Sequence, residues 1–151
     1  MKINISKKKN LLTSMLRIRA IEETIAKKYS EEKMRCPIHL SVGQEAVAVG
    51  ICSNLNKKDS IVTAHRSHAH YLAKGGSLKK MIAELYGKET GCAKGLGGSM
   101  HLIDVEAGVA AAVPIVGSTI PIGTGIAWAE KLKNKKNIIE IFFGDGASEE
   151  G

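Results

Sequence analysis

Ile138-Ile139-Glu140-Ile141-Phe142-Phe143 runs directly into Gly144-Asp145-Gly146-Ala147-Ser148-Glu149-Glu150-Gly151. The first six residues, β-branched and aromatic with one glutamate, read as a strand buried on both faces of a parallel sheet. In such a sheet ligands sit beyond the carboxyl ends of the strands, where glycine lets a backbone approach a phosphate closely. An aspartate between two such glycines suits a hard Mg²⁺ or Ca²⁺ ion that bridges to phosphate oxygens. Gly-Asp-Gly is equally the form of a plain strand-to-helix turn capped by Asp145, and taken alone the motif favours that reading.

Upstream, Ile61-Val62-Thr63-Ala64 forms a second short apolar run, so Thr63-Ala64-His65-Arg66-Ser67-His68-Ala69-His70 also lies at a strand's carboxyl end. Arg66 is suited to grip a phosphate with two nitrogens, and the histidines to donate to it or transfer protons near neutral pH. Their spacing gives no helical face, and no carboxylate or thiolate sits at zinc-ligand spacing, so anion binding is preferred to metal. His70 is the residue here that also fits a polar surface loop. A third segment, Gly91-Cys92-Ala93-Lys94-Gly95-Leu96-Gly97-Gly98-Ser99-Met100-His101, is neither a P-loop nor a dinucleotide fingerprint, and reads as a flexible loop presenting His101.

Helices fill the space between. Apolar residues from Leu11 to Ile25 recur at three- and four-residue steps, after an N-terminal tail over residues 1–10. Ser41-Val42-Gly43-Gln44 has the form of a capping box and predicts a helix from Ser41. Ser77 predicts a cap for a helix through Leu85-Tyr86 that stops at Gly87. Residues 107–129 carry no charge, but four glycines and two prolines make them a loop entering a small-residue helix packed against the sheet rather than a membrane span. Alternating strands and helices predict an α/β fold in three layers around a mainly parallel sheet, with residues 11–151 forming one domain.

Composition narrows the function. The chain has 151 residues, 44% hydrophobic and 25% charged, and so excludes disorder and a disulfide scaffold. Cys36, Cys52 and Cys92 are odd in number and widely spaced, which with the absence of a signal-like N-terminus predicts a cytoplasmic setting. The net charge of +7 comes with lysines in scattered pairs, and aromatic residues make up 4%. That pattern is a solvated surface and not a nucleic-acid footprint.

Taken in order, the segment Ile38-His39-Leu40-Ser41-Val42-Gly43-Gln44-Glu45-Ala46, then residues 63–68, residues 91–101, Ile115-Val116-Gly117 with Ile120-Pro121, and Gly144-Asp145-Gly146-Ala147 resemble the thiamine diphosphate-dependent 2-oxo acid dehydrogenases. The likeness is to the N-terminal part of the alpha subunit of their decarboxylating component, the pyruvate and acetoin dehydrogenase group, and covers nearly the whole chain from Leu11.

The resemblance implies the thiamine diphosphate-binding fold and the cofactors thiamine diphosphate and Mg²⁺. It implies Asp145 as metal ligand, with Gly146 and Ala147 against the diphosphate at the start of a helix, and Arg66 as a diphosphate ligand. His65 stands where the family usually has tyrosine. Val116 matches the aliphatic wedge beneath the cofactor, and Pro114 falls where glycine or serine is common, keeping a carbonyl but no N–H. His39 and His101 match histidines that handle protons and the substrate carboxylate, and His68 fits an adjacent position. The expected activity is oxidative decarboxylation of a pyruvate-like 2-oxo acid, or cleavage of acetoin, with acyl transfer to a lipoyl carrier. Expected partners are a beta subunit, which supplies the acid that activates the cofactor, in a heterotetramer, and a lipoyl acyltransferase, with no nucleic acid and no membrane. The family's metal motif ends in an asparagine pair beyond Gly151, so the sequence is expected to be the front part of a longer protein, inactive alone. A transketolase-like enzyme and a nonenzymatic phosphate- or nucleotide-binding module are the alternatives.

Overall fold

The computed structural model describes residues 3–150. The order of elements is α1 (Ile5–Tyr29), α2 (Glu45–Cys52), β1 (Ser60–Thr63), α3 (His68–Lys74), α4 (Leu78–Leu85), β2 (Val109–Ala112), α5 (Thr119–Leu132) and β3 (Ile139–Ile141). Short 3-10 turns cover Gly98–Met100 and Asp145–Glu149. The three strands lie in the order β2-β1-β3, and both pairings are parallel, so the expected parallel α/β arrangement is present.

β1 is central because Ile61 and Val62 have no exposed surface, whereas its neighbours are each paired on one side only. Asp59 staples its entry to that of β3. One carboxylate oxygen accepts from Ile138 N at 2.9 Å and the other from Asn56 N at 2.6 Å. These N–H donors, Ile138 first, hold the Asp59 carboxyl below its usual range. α5 packs on β1 and β3. Gly123 permits this approach, since a Cβ there would run into the Ile141 side chain. α1, α2 and α3 pack on one another around Ile18, Ile25, Ala48, Val49 and Tyr71. Each large aliphatic side chain so buried contributes about 1.5–3 kcal/mol.

Several elements depart from expectation. α1 starts at Ile5, with Asn4 capping it by accepting from Lys7 N at 2.7 Å. Residues 5–10, read as tail, are therefore helix, while Met1 and Lys2 lie outside the described residues. α2 starts at Glu45 and not Ser41, because Gly43 adopts φ +91° and breaks the helical path. Ser41 is instead buried, its hydroxyl donating to Arg66 O at 3.1 Å. The Ser77 cap and the stop at Gly87, at φ +63°, are as expected.

β2 arises within a stretch read as loop. Its sequence Val-Ala-Ala-Ala carries little strand preference, and pairing with β1 makes it a strand. α3 was likewise unforeseen, and it turns His68 and His70 inward, so His70 is no surface-loop residue. β3 is an edge strand of three partly buried residues, with Ile138 and Phe143 about half exposed, and not a strand buried on both faces. The turn after it is 3-10 over Asp145–Glu149, and Gly151 lies outside the described residues. No described helix is long and apolar enough to cross a membrane.

Candidate active site

The carboxyl ends of all three strands converge. β1 runs into Ala64, His65 and Arg66. Val113 N donates to Thr63 O at 2.9 Å, which carries β2's continuation, including Pro114 and Val116, to the same end. Phe142 N donates to Val62 O at 2.8 Å and brings Gly144 and Asp145 beside them. Between β1 and β3 this leaves a cleft of 370 Å³ lined by Gln44, Val47, Thr63, Ala64, His65, Arg66, His70, Phe142, Phe143, Gly144 and Asp145.

Of the residues singled out from sequence, His65, Arg66 and Asp145 line this cleft directly. Arg66 is exposed and donates through Nη1 to Leu40 O, and among the described residues its other two guanidinium nitrogens have no protein partner. Burial, then the neighbouring charges of His39 and Arg66, holds His65 below its ordinary 6.5, so it enters neutral pH as an uncharged imidazole. His39 stands edge-on to His65 with ring centroids 5.3 Å apart, and its Nδ1 is buried without a partner among the described residues.

Asp145 is exposed, and a Cβ at Gly144 or Gly146 would meet nothing within 4 Å, so the turn faces open space. The Ala147 side chain is buried and its N–H donates to Gly144 O at 3.0 Å, which closes the turn. Gly117 lies against this turn, since a Cβ there would be 3.0 Å from Glu150 Cβ. Val116 is half exposed on the same loop, and Pro114 is partly buried just before it. His101 does not line the cleft. It is exposed, with Nδ1 3.0 Å from Gly97 O. Among the described residues no group of three or more His, Cys, Asp or Glu is placed to hold a metal ion.

Glu22, Glu84 and Gln44 carry no site role in the sequence reading, whereas His70 is one of its candidate histidines. Glu22 is fully buried between Ile18 and Ile25 at i, i+4 and i+7, a spacing that marks it as inward-facing. It accepts from Ser41 N and meets His68 Nδ1 at 2.7 Å. Glu84 organises the glycine-rich segment. Its carboxylate accepts from Ala93 N at 2.7 Å, Gly95 N at 2.9 Å, Gly97 N at 2.7 Å and Gly98 N at 3.1 Å. Burial alone would raise its pKa, and these four donors outweigh burial and hold it below the usual range. The segment is a loop wrapped on a buried anion, not a flexible one. His70 is held by Arg66 O at 3.2 Å and lies 4.2 Å from Phe142 between ring centroids. Gln44 completes the cleft rim.

A family model described as "Dehydrogenase E1 component" matches residues 13–151. The alpha subunit of acetoin:2,6-dichlorophenolindophenol oxidoreductase from Bacillus subtilis (strain 168) is 44% identical over 137 residues, covering 91% of this chain and 41% of that protein. The pyruvate dehydrogenase E1 component alpha subunit of Rickettsia prowazekii (strain Madrid E) is 44% identical over 137 residues, 91% of this chain and 42% of its own length. The mitochondrial alpha-1 subunit from Arabidopsis thaliana is 40% identical over 138 residues, 91% of this chain and 36% of its own. The chain thus spans about two-fifths of the length of the curated relatives it matches. With the match running from α1 through the Gly144–Ala147 turn, the chain belongs to the dehydrogenase E1 component family.

Proposed function

We propose that the full-length protein is the alpha subunit of a thiamine diphosphate-dependent dehydrogenase. It would decarboxylate a pyruvate-like 2-oxo acid, or cleave acetoin, and pass the acyl group to a lipoyl carrier. The observation that carries this reading is the convergence of Arg66 and Asp145 on one cleft at parallel strand ends. The family match and the acetoin and pyruvate enzymes among the relatives support it.

The residues present fit half of a diphosphate–Mg²⁺ site. Mg²⁺ is typically held by one or two carboxylates plus substrate phosphates and water, and Asp145 is an exposed carboxylate of that kind facing open space. Arg66 supplies a charge-assisted donor for a diphosphate oxygen, and neutral His65 a second, uncharged one. Val116, half exposed, offers an apolar surface on the loop packed against the Asp145 turn. When bound, thiamine diphosphate supplies the carbanion chemistry. The chain's residues orient it and hold protons. We assign proton handling and the substrate carboxylate to His39, whose unpartnered Nδ1 is ready to bind, and to His101 from the glycine-rich loop. A beta subunit in a heterotetramer, a lipoyl acyltransferase and a cytoplasmic setting complete the proposal. The last rests on three unpaired cysteines. The three-layer thiamine diphosphate-binding fold is proposed for the complete domain.

The test is a calorimetric titration of thiamine diphosphate with Mg²⁺ into the full-length protein paired with its beta subunit. Asp145→Ala and Arg66→Ala are each expected to weaken binding at least about tenfold, the loss of one charge-assisted contact. Charge reversal at Lys57 and Lys58, remote from the cleft, leaves it unchanged. Equal affinity in all four proteins would refute the assignment.

A further inference from the structure

We propose that Glu22, His68 and Ser99 form a buried positioning chain that places His39 and the backbone of Arg66 at the cleft, an inference that rests on the functional reading above. His68 projects from α3 with no exposed surface, its Nδ1 2.7 Å from Glu22 Oε1 and its Nε2 2.8 Å from Ser99 Oγ. Glu22 and Ser99 are buried as completely. The second Glu22 oxygen accepts from Ser41 N, and Ser99 Oγ also accepts from His39 N at 3.1 Å. Both ring nitrogens of His68 are thereby paired.

Such a chain is costly to bury. Apolar side chains of similar volume would pack α1 against α3 without that cost. What the polar chain adds is direction, because each end terminates on backbone beside a candidate site residue. At one end Ser99 holds the His39 amide. At the other, Ser41, anchored by Glu22, donates its hydroxyl to Arg66 O at 3.1 Å. Ser67 Oγ closes the circuit by donating to Ser99 O at 3.0 Å. One chain from α1 thereby ties the backbone at residues 39, 41, 66 and 99 together.

His39 depends on this anchor. Its own Nδ1 makes no hydrogen bond among the described residues, so its ring is placed by the backbone and by the edge-on contact with His65. None of the three chain residues lines the cleft, so they act through the backbone and are positioning residues, not catalytic ones.

The test uses the full-length protein with its beta subunit. Ser99→Ala deletes the bridging oxygen alone. Turnover of pyruvate or acetoin is expected to fall by about tenfold or more in kcat, with the KM for thiamine diphosphate held within about twofold, since misplacing a reacting group costs rate more than cofactor binding. Hydrogen exchange of the peptide spanning residues 37–42 rises. Glu22→Gln keeps an acceptor for Ser41 N but turns a donor toward His68 Nδ1, and shows the same signature at smaller amplitude. A purely structural role predicts a lower melting temperature with kcat unchanged below it, and that result overturns the proposal. Should the unmodified protein fail to bind thiamine diphosphate, the functional reading falls. The exchange comparison at residues 37–42 in that same protein then decides the positioning claim, with wild-type exchange in Ser99→Ala overturning it.

Discussion

At the residue scale, burial sets the protonation of the side chains that surround the cleft. His70 is nearly enclosed against Phe142, and burial drops its pKa from 6.5 to about 4, only partly offset by the hydrogen bond to Arg66 O. The folded state therefore binds fewer protons than the unfolded chain between those values. Stability carried by a neutral His70 is complete above about pH 6.5 and is lost progressively as pH falls toward 4, on the order of 3 kcal/mol. His70→Phe is expected to flatten the dependence of the urea midpoint on pH over that window, and an unchanged slope would contradict the burial argument. Glu84 is the opposite case, a buried charge stabilised by four amides. Glu84→Gln turns an NH₂ toward amide donors and leaves some unpaired, so it should cost about 2–4 kcal/mol by urea titration, more than a surface substitution.

At the element scale, the junction of α1 and α2 rests on a fork. Arg19 Nε and Nη2 donate to the two oxygens of Glu45 at 2.6 and 3.0 Å, and Gly43 N adds a third donor at 3.1 Å. Arg19 is the largest cause that lowers the Glu45 carboxyl from 4.5 to about 2. This stability is present above pH 4.5 and lost as pH falls toward 2. Glu45→Gln should remove the acid-side slope in that range, and the measurement is the denaturant midpoint between pH 5 and 2. The α5–β3 contact is steric instead. Any side chain at Gly123 displaces Ile141, so Gly123→Val is expected to lower the melting temperature by several degrees, of the order that overpacking by about 1–3 kcal/mol produces.

At the scale of the whole molecule, α5 and the ends of β3 carry exposed apolar side chains. Trp128 and Leu132 on α5 are 63% and 70% exposed, and Ile138 and Phe143 flank the free edge of β3. Exposed apolar surface beside an unpaired strand edge favours association. The 151-residue chain produced alone is therefore expected to self-associate with rising concentration in analytical ultracentrifugation. The double variant Trp128→Arg and Leu132→Lys should remain monomeric to higher concentration, and identical behaviour of the two would dismiss this face as the cause.

The parallel α/β class was legible in the chain because apolar runs such as Ile138–Phe143 and glycine-terminated strand ends are local signals, as are the Ser77 cap and the Arg66 and Asp145 positions after strands. Other features depend on distant partners. Val109–Ala112 becomes a strand only because β1 offers its hydrogen-bonding edge. Ser41 carries a helix-cap pattern, yet Glu22, nineteen residues earlier, claims its N–H and Gly43 turns the chain away. The inward turn of His68 and His70 and the wrapping of residues 93–98 on Glu84 follow the same logic. Sequence determined which polar and charged residues follow the strand ends. Tertiary structure decided where the buried carboxylates Glu22 and Glu84 sit, because a buried charge is tolerable only where the fold delivers its hydrogen-bond donors from elsewhere in the chain.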